Sequence, residues 1–209
     1  MLRFLVENNA VRWVHDHWEV LDSTRVGIPE SVKLLVQGRV ARLGEEAVAI
    51  LQQAAVLGKE FSFAALSHMA GRPEDQLVAI FDQAMSAGLL VDRTVSPTEE
   101  RYWFREDHIQ EVLYQIIPAP RRRRYHLQAG QALNALYPYR LDELAYHFTH
   151  GSDVTQGAAF SHQAAERAGS LFNWNRAIPL YQDALDLWDE LGGHLEERAA
   201  VAEKLGDAC

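Results

Sequence analysis

The sequence predicts a mainly α-helical protein in two parts, a small unit of helices with short strands followed by a run of paired helices. Three observations lead there. Apolar residues recur at helical spacing through most of the chain. Aromatic and β-branched strand-like runs are short and lie before residue 105. Alanines recur at interior positions of the long helical stretches after residue 140, as close helix pairing requires. A chain of 209 residues with 48% hydrophobic content can bury a real core of one or two domains.

The elements follow in order. Leu2–Val6 is a short apolar segment, and strand-like residues flanking His15-Asp16-His17 read as a small hairpin. Pro29 is placed to open a helix, and residues 30–43 and 45–57 are two periodic segments, the second stopped by Gly58. Phe61 and Phe63 begin a new stretch with a short helix over 63–70 that ends at Gly71. Pro73-Glu74-Asp75 starts a helix with stripe Leu77, Ile80, Phe81, Ala84 and Met85. Leu89-Leu90-Val91 and Tyr102-Trp103-Phe104 read as strands around a polar loop containing Pro97. Ile109, Val112, Leu113, Ile116 and Ile117 mark a helix that Pro118 and Pro120 terminate. This order is the winged-helix plan. Helices are expected next over 120–137, 141–150, 154–170, 173–191 and 195–209. The spacing of Ala165, Ala177, Tyr181 and Ala184 matches tetratricopeptide repeats. Leu205-Gly206 restarts that pattern, so the chain reads as truncated within a repeat.

Composition excludes several functions. Twenty Lys+Arg against 29 Asp+Glu give a net charge of −9, which disfavours charge-driven binding to nucleic acid. The single cysteine, Cys209, excludes a disulfide framework and multi-cysteine metal sites. Nothing reads as a signal peptide or a membrane span, so the expectation is a soluble cytoplasmic chain. Charge is uneven: residues 1–118 carry 11 basic and 17 acidic groups, 119–140 five and none, and 141–209 four and 12. Arg121, Arg122, Arg123 and Arg124 therefore form the core of a basic island that also includes Arg140. Four successive residues point around a helix axis and cannot share one ligand. They are read first as an interdomain clamp, pairing with carboxylates of both acidic blocks, with a phosphate, nucleic-acid or acidic-partner site as the alternative.

Chemistry-bearing patterns are sparse. Gly58-Lys59 lacks the first glycine and the hydroxyl of a phosphate loop, with Gln53 and Glu60 in those places, and reads as a helix end. The adjacent pairs Ser67-His68 and Ser161-His162 diverge on a helix, so neither is a nucleophile with its base. His15, His17, His147, His150 and His162 have no cysteine partner and no acid at a telling spacing, so no metal site is expected. The helix over 74–87 holds three acids and no Lys or Arg, unlike a groove-reading helix. Trp174, Tyr181 and Trp188 recur every seven residues. They read first as repeat core, with a concave partner-binding surface as the alternative.

The run from Tyr102 through His108 to Tyr114, then Pro118-Ala119-Pro120-Arg121, His126 and Ala132-Leu133, resembles the region following the ATPase core in large bacterial signalling ATPases. These are the STAND-type regulators, often fused to cyclase or LuxR-type DNA-binding domains. Ile28-Pro29-Glu30-Ser31, Gln53 to Phe61, Leu144 to Phe148 and Ala164 to Ala168 are similar to the same family, so the likeness runs along the whole chain in one order. It implies three parts: residues 1–28 as the remnant of an ATPase lid with its hairpin, 29–118 as the winged helix, and 119–209 as tetratricopeptide-like repeats. It implies a non-catalytic regulatory segment that couples a protein partner or small inducer on the repeats to a nucleotide switch, with ATP or ADP held by an ATPase domain in cis. No cofactor is expected in the segment itself. The alternative is a DNA-binding winged-helix regulator. The family's last winged-helix helix opens with Phe-x-His-Asp. Phe104 and Asp107 match here, but Glu106 takes the histidine's place, and a carboxylate near phosphate repels it.

Overall fold

The computed structural model describes residues 11–14, 17–20, 28–94 and 99–192, together with Arg198, Ala199, Val201, Ala202 and Lys204. Leu2–Val6, His15, Pro97, Leu205-Gly206 and most of the expected helix over 195–209 lie outside them. The described residues form nine helices, a three-stranded antiparallel sheet and a two-stranded hairpin. In the hairpin, β1 (Val11–Val14) and β2 (His17–Val20) run antiparallel, with Trp13 opposite Trp18.

Helices α1 (Glu30–Ala41) and α2 (Glu45–Leu57) start where Pro29 and Gly44 stand, with Glu30 in the first turn of one and Glu45 and Glu46 in that of the other to complement the helix dipole. Gly58, at φ 128°, ends α2 and passes the chain into β3 (Glu60–Ser62). The Ser62 hydroxyl then accepts from Ala65 N at 3.0 Å and caps α3 (Phe63–Ala70). Helix α4 (Glu74–Ser86) turns Leu77, Ile80, Phe81 and Ala84 inward, and β4 (Leu90–Asp92) and β5 (Arg101–Phe104) follow. Strand β5 is central in the order β3-β5-β4, so the first strand is completed by the last. Around it Phe61, Phe63, Phe81 and Tyr102 meet at 4.6–6.3 Å, mostly edge-on or tilted, with Phe61 and Tyr102 stacked. Helix α5 (Asp107–Gln115) closes this core with Ile109, Val112 and Leu113 fully buried.

The second part begins with α6 (Ala119–Leu136), which enters behind Pro118 and lies across α2 and α3 on one side. Helices α7 (Leu141–His150), α8 (Val154–Ser170) and α9 (Trp174–Leu191) then stack in succession, α7 on α6, α8 on α7 and α9 on α8. The expected small-residue seam is present, since Ala145, Ala158, Ala165, Ala168, Ala177 and Ala184 are all buried. Backbones approach closely along it. A Cβ on Gly130 would stand 3.1 Å from the Phe148 ring, and one on Gly151 2.7 Å from Leu127 N.

The two turns of this stack are built alike. Ser152 (φ 61°) and Phe172 (φ 57°) occupy the left-handed region, each followed by a polar residue, Asp153 or Asn173, that begins the next helix. In both, that polar residue's N–H reaches back five residues, Asp153 N to Phe148 O at 3.1 Å and Asn173 N to Ala168 O at 2.9 Å. Among the described residues no helix is long and apolar enough to cross a membrane.

Candidate functional site

Helix α6 touches both halves of the molecule, and the polar groups worth examining gather where it does so. Its outer end carries the arginine run, and its 3.6-residue repeat divides that run between two faces. Arg121 and Arg124 line a groove against α2, whereas Arg122 and Arg123 line a pocket beside His126 and His150. The expected four-arginine clamp needs correction. Among the described residues none of Arg121, Arg122, Arg123 and Arg124 pairs with a carboxylate. Arg122 instead lies over the Tyr114 ring, 5.0 Å from its centroid.

The ionic link between the halves is made by other residues. Arg101 on β5 binds Glu60 of β3 and, at 2.7 Å, Glu99. Arg140, just before α7, reaches the same Glu99 oxygen at 3.4 Å and Glu143 at 3.4 Å, while lying 4.4 Å over the Tyr137 ring. Glu99 thus bridges a cation from each half. The Tyr137 hydroxyl adds a hydrogen bond to Ser62 Oγ at 3.1 Å. These groups stand beside a pocket of about 450 Å³ that also includes Gln110, Tyr114, Tyr146 and His147.

Behind that pocket lies a chain of buried hydrogen-bonding groups. The His126 and His147 Nδ1 atoms are 3.1 Å apart, so one ring donates and the other accepts. On its far side His126 Nε2 is 2.9 Å from the Tyr114 hydroxyl. Both imidazoles are almost wholly buried. Burial drives the His126 pKa down to about 3, with His147, His150 and Arg122 adding repulsion, and drives His147 down to about 4, with His150 adding to it. The Tyr146 ring lies tilted over that of His150, with ring centroids 4.1 Å apart. Its phenol is pushed up to about 12 by burial, then by hydrogen bonding with Tyr114. The cluster joins α5, α6 and α7, and burial holds its two facing imidazoles, His126 and His147, in the neutral form at pH 7. Sequence spacing did not reveal it, because His126 sits inside an arginine-rich helix and 21 residues from His147.

The remaining sequence candidates lie elsewhere. Glu106 occupies the position before α5 and approaches His108 Nε2 at 3.4 Å, while Asp107 in the first turn pairs with Lys59. All four groups are substantially solvent-exposed. Tyr181 and Trp188 are core residues, the first of the two readings their spacing allowed: both are buried, and Tyr181 donates to Glu166 at 2.8 Å while Trp188 packs on His162. Neither presents a face to a partner, whereas Trp174 at the start of α9 is 38% exposed. Among the described residues no set of three His, Cys, Asp or Glu side chains is arranged to hold a metal ion. Gly58-Lys59 is a helix end, with Gly58 capping α2 and Glu60 opening β3. No protein family profile, curated protein or solved structure matches the chain.

Proposed function

We propose that this chain is the non-catalytic regulatory segment of a cytoplasmic STAND-type signal-transduction ATPase. In this reading residues 29–118 are a winged-helix unit and residues 119–209 a tetratricopeptide-like arm. The nucleotide sits in a phosphate-loop domain of the same polypeptide, and a protein partner or small inducer binds the arm. The observation that carries the proposal is α6, one helix that packs on α2 and α3 while supporting α7. A ligand that shifts α7 acts directly on Glu99–Arg140 and on His126–His147, and through Tyr114 on α5. Helix α5 starts at Glu106-Asp107, the position that faces nucleotide phosphate in the family this sequence resembles. The mechanism is a population shift between docked and released states of the winged unit.

The outward face of α4 supports this reading over DNA binding. Glu74, Asp75 and Asp82 are exposed there with no cation among them, and Arg101 is committed to Glu60 and Glu99. The test is Glu106→His in the polypeptide that joins this chain to a phosphate-loop domain. It is expected to slow release of bound ADP and lower basal ATP turnover; unchanged release contradicts the proposal. ATP hydrolysis at enzyme-like rates by this chain alone, or its salt-dependent binding to duplex DNA, also contradicts it.

A further inference from the structure

The groove between α2 and α6 carries a set of groups that the coupling role leaves unused. Glu46 and Gln53 stand seven residues apart on α2, and Arg121, Arg124 and Gln128 stand at i, i+3 and i+7 on α6, so both sets face one space of about 400 Å³. Arg72 closes one end, its Nη1 3.0 Å from Glu46. Two features are unbalanced. The Gln53 and Gln128 amide oxygens are withdrawn from solvent and accept no hydrogen bond. Arg121 and Arg124 have no acid partner among the described residues. Buried carbonyl oxygens without donors are rare in folded proteins. Both glutamines line the groove, and the last torsion of a glutamine is broad, which leaves their amides free to turn toward a ligand there.

From these complementary deficits we propose a binding site for a small phosphate monoester with a hydroxylated body, a sugar phosphate or nucleoside monophosphate. Arg121 and Arg124 offer planar guanidinium forks to the phosphate. Sugar hydroxyls donate to Gln53 and Gln128, and Glu46 accepts another hydroxyl. The Glu46 carboxylate also repels a second phosphate, which sets the site against polyanions. The space is of the size that small-ligand sites occupy. Because the ligand would bind this chain alone, the site stands independently of the ATPase reading.

The test is calorimetric titration of the purified chain with ribose 5-phosphate and with AMP, with inorganic phosphate and ribose as comparisons. At least one of the two esters is expected to bind about tenfold or more tighter than inorganic phosphate, with no measurable binding of ribose. Binding of both assigns the sugar phosphate as the common element, and binding of AMP alone assigns the nucleotide. Exposed Arg121→Ala with Arg124→Ala should abolish binding, and Gln53→Leu should weaken the ester without weakening phosphate. Arg123→Ala, on the opposite face of α6, should leave binding intact. Failure of both esters to bind overturns the site. So does inorganic phosphate binding equally well (an adventitious ion only), or an Arg121/Arg124 variant that binds as the wild type does.

Discussion

His126 and His147 share a single proton between facing Nδ1 atoms, and protonating both rings would set donor against donor. Their folded pKa values, about 3 and about 4, lie below the ordinary value of 6.5, so unfolding takes up protons wherever the pH lies between. Their contribution is therefore complete above pH 6.5 and is lost as pH falls toward 4. The direction is fixed by the sign of the shifts: the unfolding free energy falls as pH drops below 6.5. Urea unfolding at stepped pH checks this. A midpoint that stays level between 6.5 and 4.5 contradicts the buried neutral pair. Arg122→Ala removes the cation over Tyr114 and is expected to cost about 0.5–1 kcal/mol. Arg123→Ala is expected to leave the melting temperature unchanged.

At the scale of elements, the alignment of close helices and left-handed turns makes its own predictions. Gly151→Ala puts a methyl 2.7 Å from the backbone nitrogen of Leu127, which cannot move without shifting α6. A loss of about 1–3 kcal/mol is expected in thermal or urea unfolding. Phe172 goes the other way. It is 83% exposed and held at φ 57°, so Phe172→Gly gives up little packing and removes backbone strain. Thermal denaturation should show a higher midpoint; a lower one would mean the ring contributes more than its exposure indicates. Helix positions were legible because Leu77, Ile80, Phe81 and Ala84, or Ile109, Val112 and Leu113, repeat at helical spacing, and Pro29, Pro73 and Pro118 mark the starts. The ionic link was not legible. Arg101 and Arg140 lie far apart in sequence and meet only because β5 and the start of α7 converge on Glu99. The adjacent arginines of α6 are the more conspicuous charge pattern in the sequence, yet a helix spreads adjacent residues around its axis.

Across the whole molecule, α6 contributes to two apolar clusters, and Leu57 packs against both of these and against the sheet-side core. Tyr125, Ala129 and Ala132 of α6 pack with Val56 and Met69, while Leu133 packs with Ala65, Leu144 and Phe148. That continuity is what would let an event on α7 to α9 reach α5. Hydrogen exchange of the purified chain under rising, sub-denaturing urea measures it directly. The slowest amides of α2 and α5 and those of α7 and α8 are expected to open in one step, with the same free energy and the same dependence on urea. If α7 and α8 open well before α2 and α5, with a distinct free energy, the halves are independent and the proposed coupling through α6 is contradicted.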